Sequence, residues 1–77
     1  MFVEDWDEIH GFGSPGEYAR FLLWIAEAVA EGALREIPVG SRYSEYCEER
    51  WYRAVSGQAW RVVGPDFPFT GAFLKVE

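Results

Sequence analysis

The sequence predicts a small α+β domain in which one N-terminal helix packs on an antiparallel sheet of three or four strands. Two observations carry this. A capped amphipathic segment occupies residues 14–32, and everything after it alternates short β-type runs with Gly- and Pro-containing turns. At 77 residues the chain has room for one domain. A chain of this size buries only about 60% of the surface its unfolded form exposes, so it needs large side chains to build a core. It has four tryptophans, four tyrosines and six phenylalanines.

The helix comes first. Ser14-Pro15-Gly16-Glu17 reads as a capping box, with the Ser14 hydroxyl accepting from the Glu17 amide and the Glu17 carboxylate reaching back. Pro15 sits at the first helical position, where its missing N–H costs nothing, and Gly32 supplies the left-handed residue that ends the helix. Tyr18, Phe21, Leu22, Ile25, Ala26 and Val29 fall at helical spacing and are expected to be the buried stripe. Leu23 and Trp24 widen the apolar surface beyond that stripe. Glu27 and Glu31 fall near the negative end of the helix dipole, a mildly unfavourable place for carboxylates.

The strands follow. Leu34 to Val39 reads as a strand that Pro38 confines to an edge or cuts short. Gly40-Ser41-Arg42 is a turn, and Tyr43 to Glu48 fits neither pattern. Arg50 to Val55 and Gln58 to Val63 read as a hairpin closed by the two-residue turn Ser56-Gly57. That register pairs Arg53 with Trp60 and Trp51 with Val62, and puts Trp51, Val55, Trp60 and Val62 on the core face. It leaves Tyr52 and Arg61 to stack on the wetter face as a cation–π pair. Gly64 to Gly71 is a connection stiffened by Pro65 and Pro68, and Ala72 to Val76 is a last strand.

Charge narrows the functional classes. The net charge of −6 is unevenly placed. Residues 1–31 hold Glu4, Asp5, Asp7, Glu8, Glu17, Glu27 and Glu31 against Arg20 alone. The six carboxylates of residues 32–77 are matched by Arg35, Arg42, Arg50, Arg53, Arg61 and Lys75. This argues against nucleic acid and against an anionic membrane surface as partners. It suits a basic protein partner, whose encounter a complementary field accelerates.

Chemistry-bearing residues are few. His10 and Cys47 are the single histidine and cysteine, and the carboxylates flanking Cys47 raise a thiol's pKa rather than lower it. One Cys and one His cannot complete a structural zinc site without carboxylates. Glu45, Glu48 and Glu49 lack the ligand alternation of a calcium loop. Gly11-x-Gly13-x-x-Gly16 matches a dinucleotide fingerprint in spacing, but no apolar strand precedes it and the chain is too short for the βαβ unit. The expectation is a non-enzyme with no metal and no cofactor. A lone cysteine, acidic opening residues without a basic-then-apolar leader, and no long apolar run lead us to expect the cytoplasm.

The binding surface is expected in the acidic aromatic segment Glu4 to His10. There Trp6 would be an apolar anchor, and Asp5, Asp7 and Glu8 would receive Arg or Lys. Glu27 and Glu31 would extend it, and Tyr43 and Tyr46 are aromatics without a core assignment.

The run Glu49-Arg50-Trp51-Tyr52, the hairpin Ser56-Gly57-Gln58-Ala59-Trp60-Arg61-Val62-Val63 and the connection Pro65-Asp66-Phe67-Pro68-Phe69 resemble small bacterial proteins of the toxin-immunity kind. The resemblance spans residues 14–76. It implies a compact cytoplasmic inhibitor that occludes a toxin's active site, and assigns no role to individual residues. The alternative left open is a general interaction module or a small subunit of a larger assembly, without an inhibitory role.

Overall fold

Ser14 starts the helix as its side chain predicts. In the computed structural model, which describes residues 6–66 and 68–76, its hydroxyl accepts from the Glu17 amide at 3.1 Å, and α1 runs from Pro15 to Ala30. The far end is closed by a Schellman arrangement: the Gly32 amide donates to Val29 O at 3.1 Å and the Ala33 amide to Ala28 O at 2.8 Å. Gly32 takes φ 81°, which a side chain would resist.

Four strands follow in chain order, β1 (Leu34–Ile37), β2 (Glu49–Ala54), β3 (Ala59–Val63) and β4 (Ala72–Val76). They form one antiparallel meander in the order β1-β2-β3-β4. β1 is an edge strand, as Pro38 requires. The edge of β4 is covered by the N-terminal segment. Ile9 and Phe73 exchange both backbone hydrogen bonds at 2.8 Å, and the Phe12 amide donates to Thr70 O at 2.9 Å. Unpaired edges invite association, and this one is covered by residues 8–12. No helix among the described residues is long and apolar enough to cross a membrane.

The hairpin register differs by one residue from the sequence expectation. Tyr52 pairs with Trp60, Trp51 with Arg61 and Arg53 with Ala59. The loop has three residues, not two. The Gly57 amide donates to Ala54 O at 2.9 Å, the Ala54 amide to Gln58 O at 2.9 Å, and Gly57 takes φ 95°. This is a type I turn closed by a left-handed glycine. A two-residue I′ turn would have forced Ser56 to positive φ, and no non-glycine residue described adopts that conformation. A one-residue slip exchanges the faces of β2. Tyr52 and Ala54 therefore join Trp60 and Val62 in the core. Trp51 moves to the opposite face, and Val55, expected inside, is 82% exposed in the turn.

The core lies between α1 and the inner sheet face. Trp60, 2% exposed, stacks on Phe73 with ring centroids 4.5 Å apart. Phe21 meets Phe73 at 5.0 Å, and Trp24 meets it edge-on at 6.2 Å. The buried face of the helix is rotated from the expected stripe. Ile25 and Ala28 are buried and Tyr18, Phe21 and Trp24 partly so, whereas Leu22, Ala26 and Val29 are exposed.

The outer sheet face is partly roofed by residues 40–48. Cys47, Val63 and Ala72 form a second small cluster there, with Phe69 and Leu74 packed on it. Glu49 fastens this roof. Its side chain is 1% exposed and accepts from the Tyr43 amide and the Trp51 indole N–H, each at 2.6 Å. Arg61 Nε stands 3.6 Å from the same carboxylate. The Arg61 guanidinium lies over the Trp51 ring at 5.2 Å and the Tyr43 ring at 5.8 Å, so its aromatic partners are not Tyr52.

Candidate functional site

The aromatic bulk of the core is gathered over β3 and β4, and it leaves the β2 side of the helix–sheet interface unfilled. A groove of about 480 Å³ opens there. One wall is the helix row Tyr18, Leu22, Ala26 and Val29 above Ile25. The floor is Tyr52 and Val62, and Glu36, Glu48 and Arg50 stand at the rim. The apolar residues that periodicity assigns to the core are thus the wall of an open cleft. The cause is shared: helix and sheet meet along Ile25 and Ala28, so residues one step around the helix overhang the sheet instead of touching it.

Both ends of the groove carry a phenol and a carboxylate. At one end, Arg50 Nη1 reaches both Glu36 carboxylate oxygens at 3.4 Å, and the Arg50 charge acts on the Tyr52 hydroxyl. Burial raises the Tyr52 hydroxyl above its usual pKa, the Glu36 charge adds to this, and Arg50 opposes it. At the other end, Gly64 brings Tyr18 and Glu48 together. Its amide donates to Glu48 O at 2.7 Å, and a Cβ added to it would stand 3.3 Å from the Tyr18 hydroxyl and 3.5 Å from the Glu48 Cβ. Burial likewise raises the Tyr18 hydroxyl, with Glu48 adding and Arg50 opposing. Both phenols therefore remain protonated hydrogen-bonding groups at neutral pH. Among the described residues, the Glu48 carboxylate has no cation paired with it.

The residues expected to bind a partner do not converge on this groove. Asp5 lies outside the described residues. Trp6 is not a free anchor: it is half-buried, edge-on to Trp24 at 5.1 Å and to Trp60 at 5.9 Å. Residues 6–12 are held on the core by the side chains of Trp6, Ile9 and Phe12. Glu8 accepts from the Lys75 amide at 3.0 Å, capping an edge-strand donor, and stands 3.9 Å from His10 Nε2. Asp7 is exposed, and so are Glu27 and Glu31 on the solvent side of α1. Tyr43 is half-exposed and stacks on Phe69 at 5.7 Å, while Tyr46 is 80% exposed. Sequence reasoning put Tyr52 on the face away from the helix because the hairpin register was one residue off, and it set no pairing for β1, which brings Glu36 opposite Tyr52. The available signal was the helix itself, whose apolar arc, counting Leu22, Leu23, Trp24 and Val29, is wider than one sheet contact can cover.

His10 lies exposed beside Glu8, whereas Cys47 is buried among Val63 and Ala72 on the outer face. No group of three His, Cys, Asp or Glu side chains among the described residues is placed to hold a metal ion.

These features define a two-layer α+β domain with an open, acid-rimmed apolar groove and an acidic helix surface. No family model, curated protein or solved structure matches the chain.

Proposed function

We propose that this chain is an inhibitory protein-binding domain of the immunity type. It neutralises a basic protein partner, such as a toxin acting in the cytoplasm, by covering that partner's active site. The observation that carries the reading is the juxtaposition of charge and apolar surface on α1. The helix belongs to the segment that holds the chain's whole net charge of −6. It turns Glu27 and Glu31 to solvent, beside the uncovered row Leu22, Ala26 and Val29. Exposed apolar side chains ringed by carboxylates give a basic protein both contact area and electrostatic steering. Asp7 and Glu8 on the N-terminal segment and Tyr46 in the loop over the outer sheet face are further exposed acidic and aromatic side chains. Trp6 contributes by fixing the N-terminal segment to the core, and its indole is not the anchor.

The test is capture and inhibition. The purified chain is used as bait in a lysate of its source cells, captured proteins are identified by mass spectrometry, and each is purified and assayed alone. The reading requires a captured protein of basic pI whose own activity falls stoichiometrically as the chain is added. Capture of acidic proteins only, or of a basic protein whose activity is untouched, would reject it.

A further inference from the structure

Resting on that protein-binding reading, we propose that the groove between α1 and β2 receives a lysine or arginine side chain of the protein partner, with its aliphatic stem along Leu22, Ala26 and Val29 and its charged head at Glu48 and the Tyr18 hydroxyl. The groove has the two parts that such a side chain needs. Its wall and floor are apolar over Leu22, Ile25, Ala26, Val29 and Val62, and match a stem of methylene groups. Its end holds a carboxylate without a cation among the described residues, next to a phenol that stays protonated. The opposite end already shows this chemistry within the chain. There a guanidinium, that of Arg50, rests on a carboxylate, Glu36, with the Tyr52 hydroxyl within reach of both charges. The Glu48 and Tyr18 end repeats the carboxylate and the phenol, and no cation among the described residues stands within ion-pair distance of the Glu48 carboxylate.

Charge selects the occupant. A second copy of this chain would bring its own net −6 to an acidic rim, which repulsion disfavours. A purely apolar segment would leave Glu48 without a partner and shielded from water, which costs binding energy. A basic side chain satisfies both parts together. Arg brings a planar fork of N–H donors and Lys a compact ammonium with three, and either can reach the carboxylate and the phenol together.

The probe is the blocked tripeptide acetyl-Leu-Arg-Leu-amide, compared with the same peptide carrying citrulline, which keeps the shape and loses the charge. Methyl, aromatic and backbone-amide NMR spectra of the full chain are recorded through a titration. The expected result is saturable shifts at the Leu22 and Val29 methyls and the Tyr18 ring, with the citrulline peptide about threefold or more weaker. Glu48→Gln removes that preference, Leu22→Ser weakens both peptides, and Glu45→Gln, in the loop away from the groove, changes neither. Thermal melts establish that each variant is folded. The proposal is overturned if no shift saturates, if citrulline binds equally, or if the preference survives Glu48→Gln. It is equally overturned if the shifts centre on Glu27 and Glu31, or if the same methyls shift with protein concentration alone, which would make a second copy the occupant. The two readings fail separately. An inhibited basic partner whose affinity ignores Glu48→Gln and Leu22→Ser sinks the groove and leaves the inhibitor, whereas a peptide-binding groove without an inhibited partner does the reverse.

Discussion

Trp60 and Val55 lie on either side of the register difference, and substitution separates the two arrangements. Trp60 is buried and stacked on Phe73, so Trp60→Ala is expected to cost about 3–5 kcal/mol, much of the stability of a domain this small. Val55 sits at the tip of the hairpin, so Val55→Ser is expected to change stability by no more than about 0.5 kcal/mol. In the two-residue-turn register Val55 would have been a core residue and its loss costly. Urea melts of the two variants decide the matter, and a large loss for Val55→Ser would contradict the observed pairing. Glu49 gives the second test at this scale. Removing its carboxylate strands two N–H donors and the shielded Arg61, so Glu49→Ala is expected to cost about 3 kcal/mol or more. It should also release residues 40–48 from the outer sheet face, seen as faster amide exchange at Tyr43. Unchanged exchange there would show that the roof is held by Tyr43 stacking on Phe69 instead.

At the scale of elements, α1 is well specified by its sequence and yet not optimised. The Ser14 cap, Pro15 and Gly32 set its ends as expected, because capping is local chemistry with few competing solutions. Its rotation about its own axis was not legible, because that depends on which sheet side chains it meets, and those follow from the hairpin register. Ser56-Gly57 reads naturally as a turn. What decides between two loop residues and three is whether Ser56 would accept positive φ, and that preference separates only once the strands are built. The N-terminal segment was misjudged for a related reason. Its charge is visible in the sequence, whereas its pairing with β4 is long-range and leaves no local pattern. The last turn of α1 contains no basic residue, and Glu27 and Glu31 lie at its negative end. Lys at both positions is expected to raise stability by up to about 1 kcal/mol, read as a higher urea midpoint at low salt, with the gain shrinking as salt is added. A lowered midpoint would mean that these carboxylates make contacts that matter to the fold.

For the whole molecule, two consequences of charge can be measured. Tyr18 and Tyr52 both ionise above their ordinary value of 10.0 in the folded state, burial being the main cause. A raised tyrosine pKa means that the native state holds its proton when the unfolded state has lost it. Stability is therefore fully present below pH 10 and declines as pH climbs through the folded values. Unfolding midpoints measured from pH 8 to pH 11.5 should fall above pH 10, and Tyr52→Phe should flatten that fall. An equal fall in the variant would move the cause elsewhere. The other consequence concerns association. Reversing charge at Asp5, Asp7, Glu27 and Glu31 is expected to slow binding to the proposed basic partner more than it speeds dissociation, and salt should slow the wild-type chain in the same way. Rates unchanged at low salt would leave the acidity a role in solubility alone.

The pairing of Ile9 with Phe73 also sets the order in which the polypeptide can mature. Phe73 stacks on Trp60, touches Phe21 and Trp24 on α1, and holds Ile9 through two backbone bonds, yet it belongs to β4, which is made after α1 and the hairpin. The helix and the hairpin can form while synthesis continues, since their contacts are local. The segment 6–12 must wait, because its acceptor strand does not yet exist. Until β4 emerges, Trp6, Phe12 and the aromatic face of α1 stand in water together, a sticky intermediate that a nascent chain must keep from aggregating. Asp7 and Glu8 put charge among the apolar side chains of that waiting segment, and charges so placed oppose aggregation.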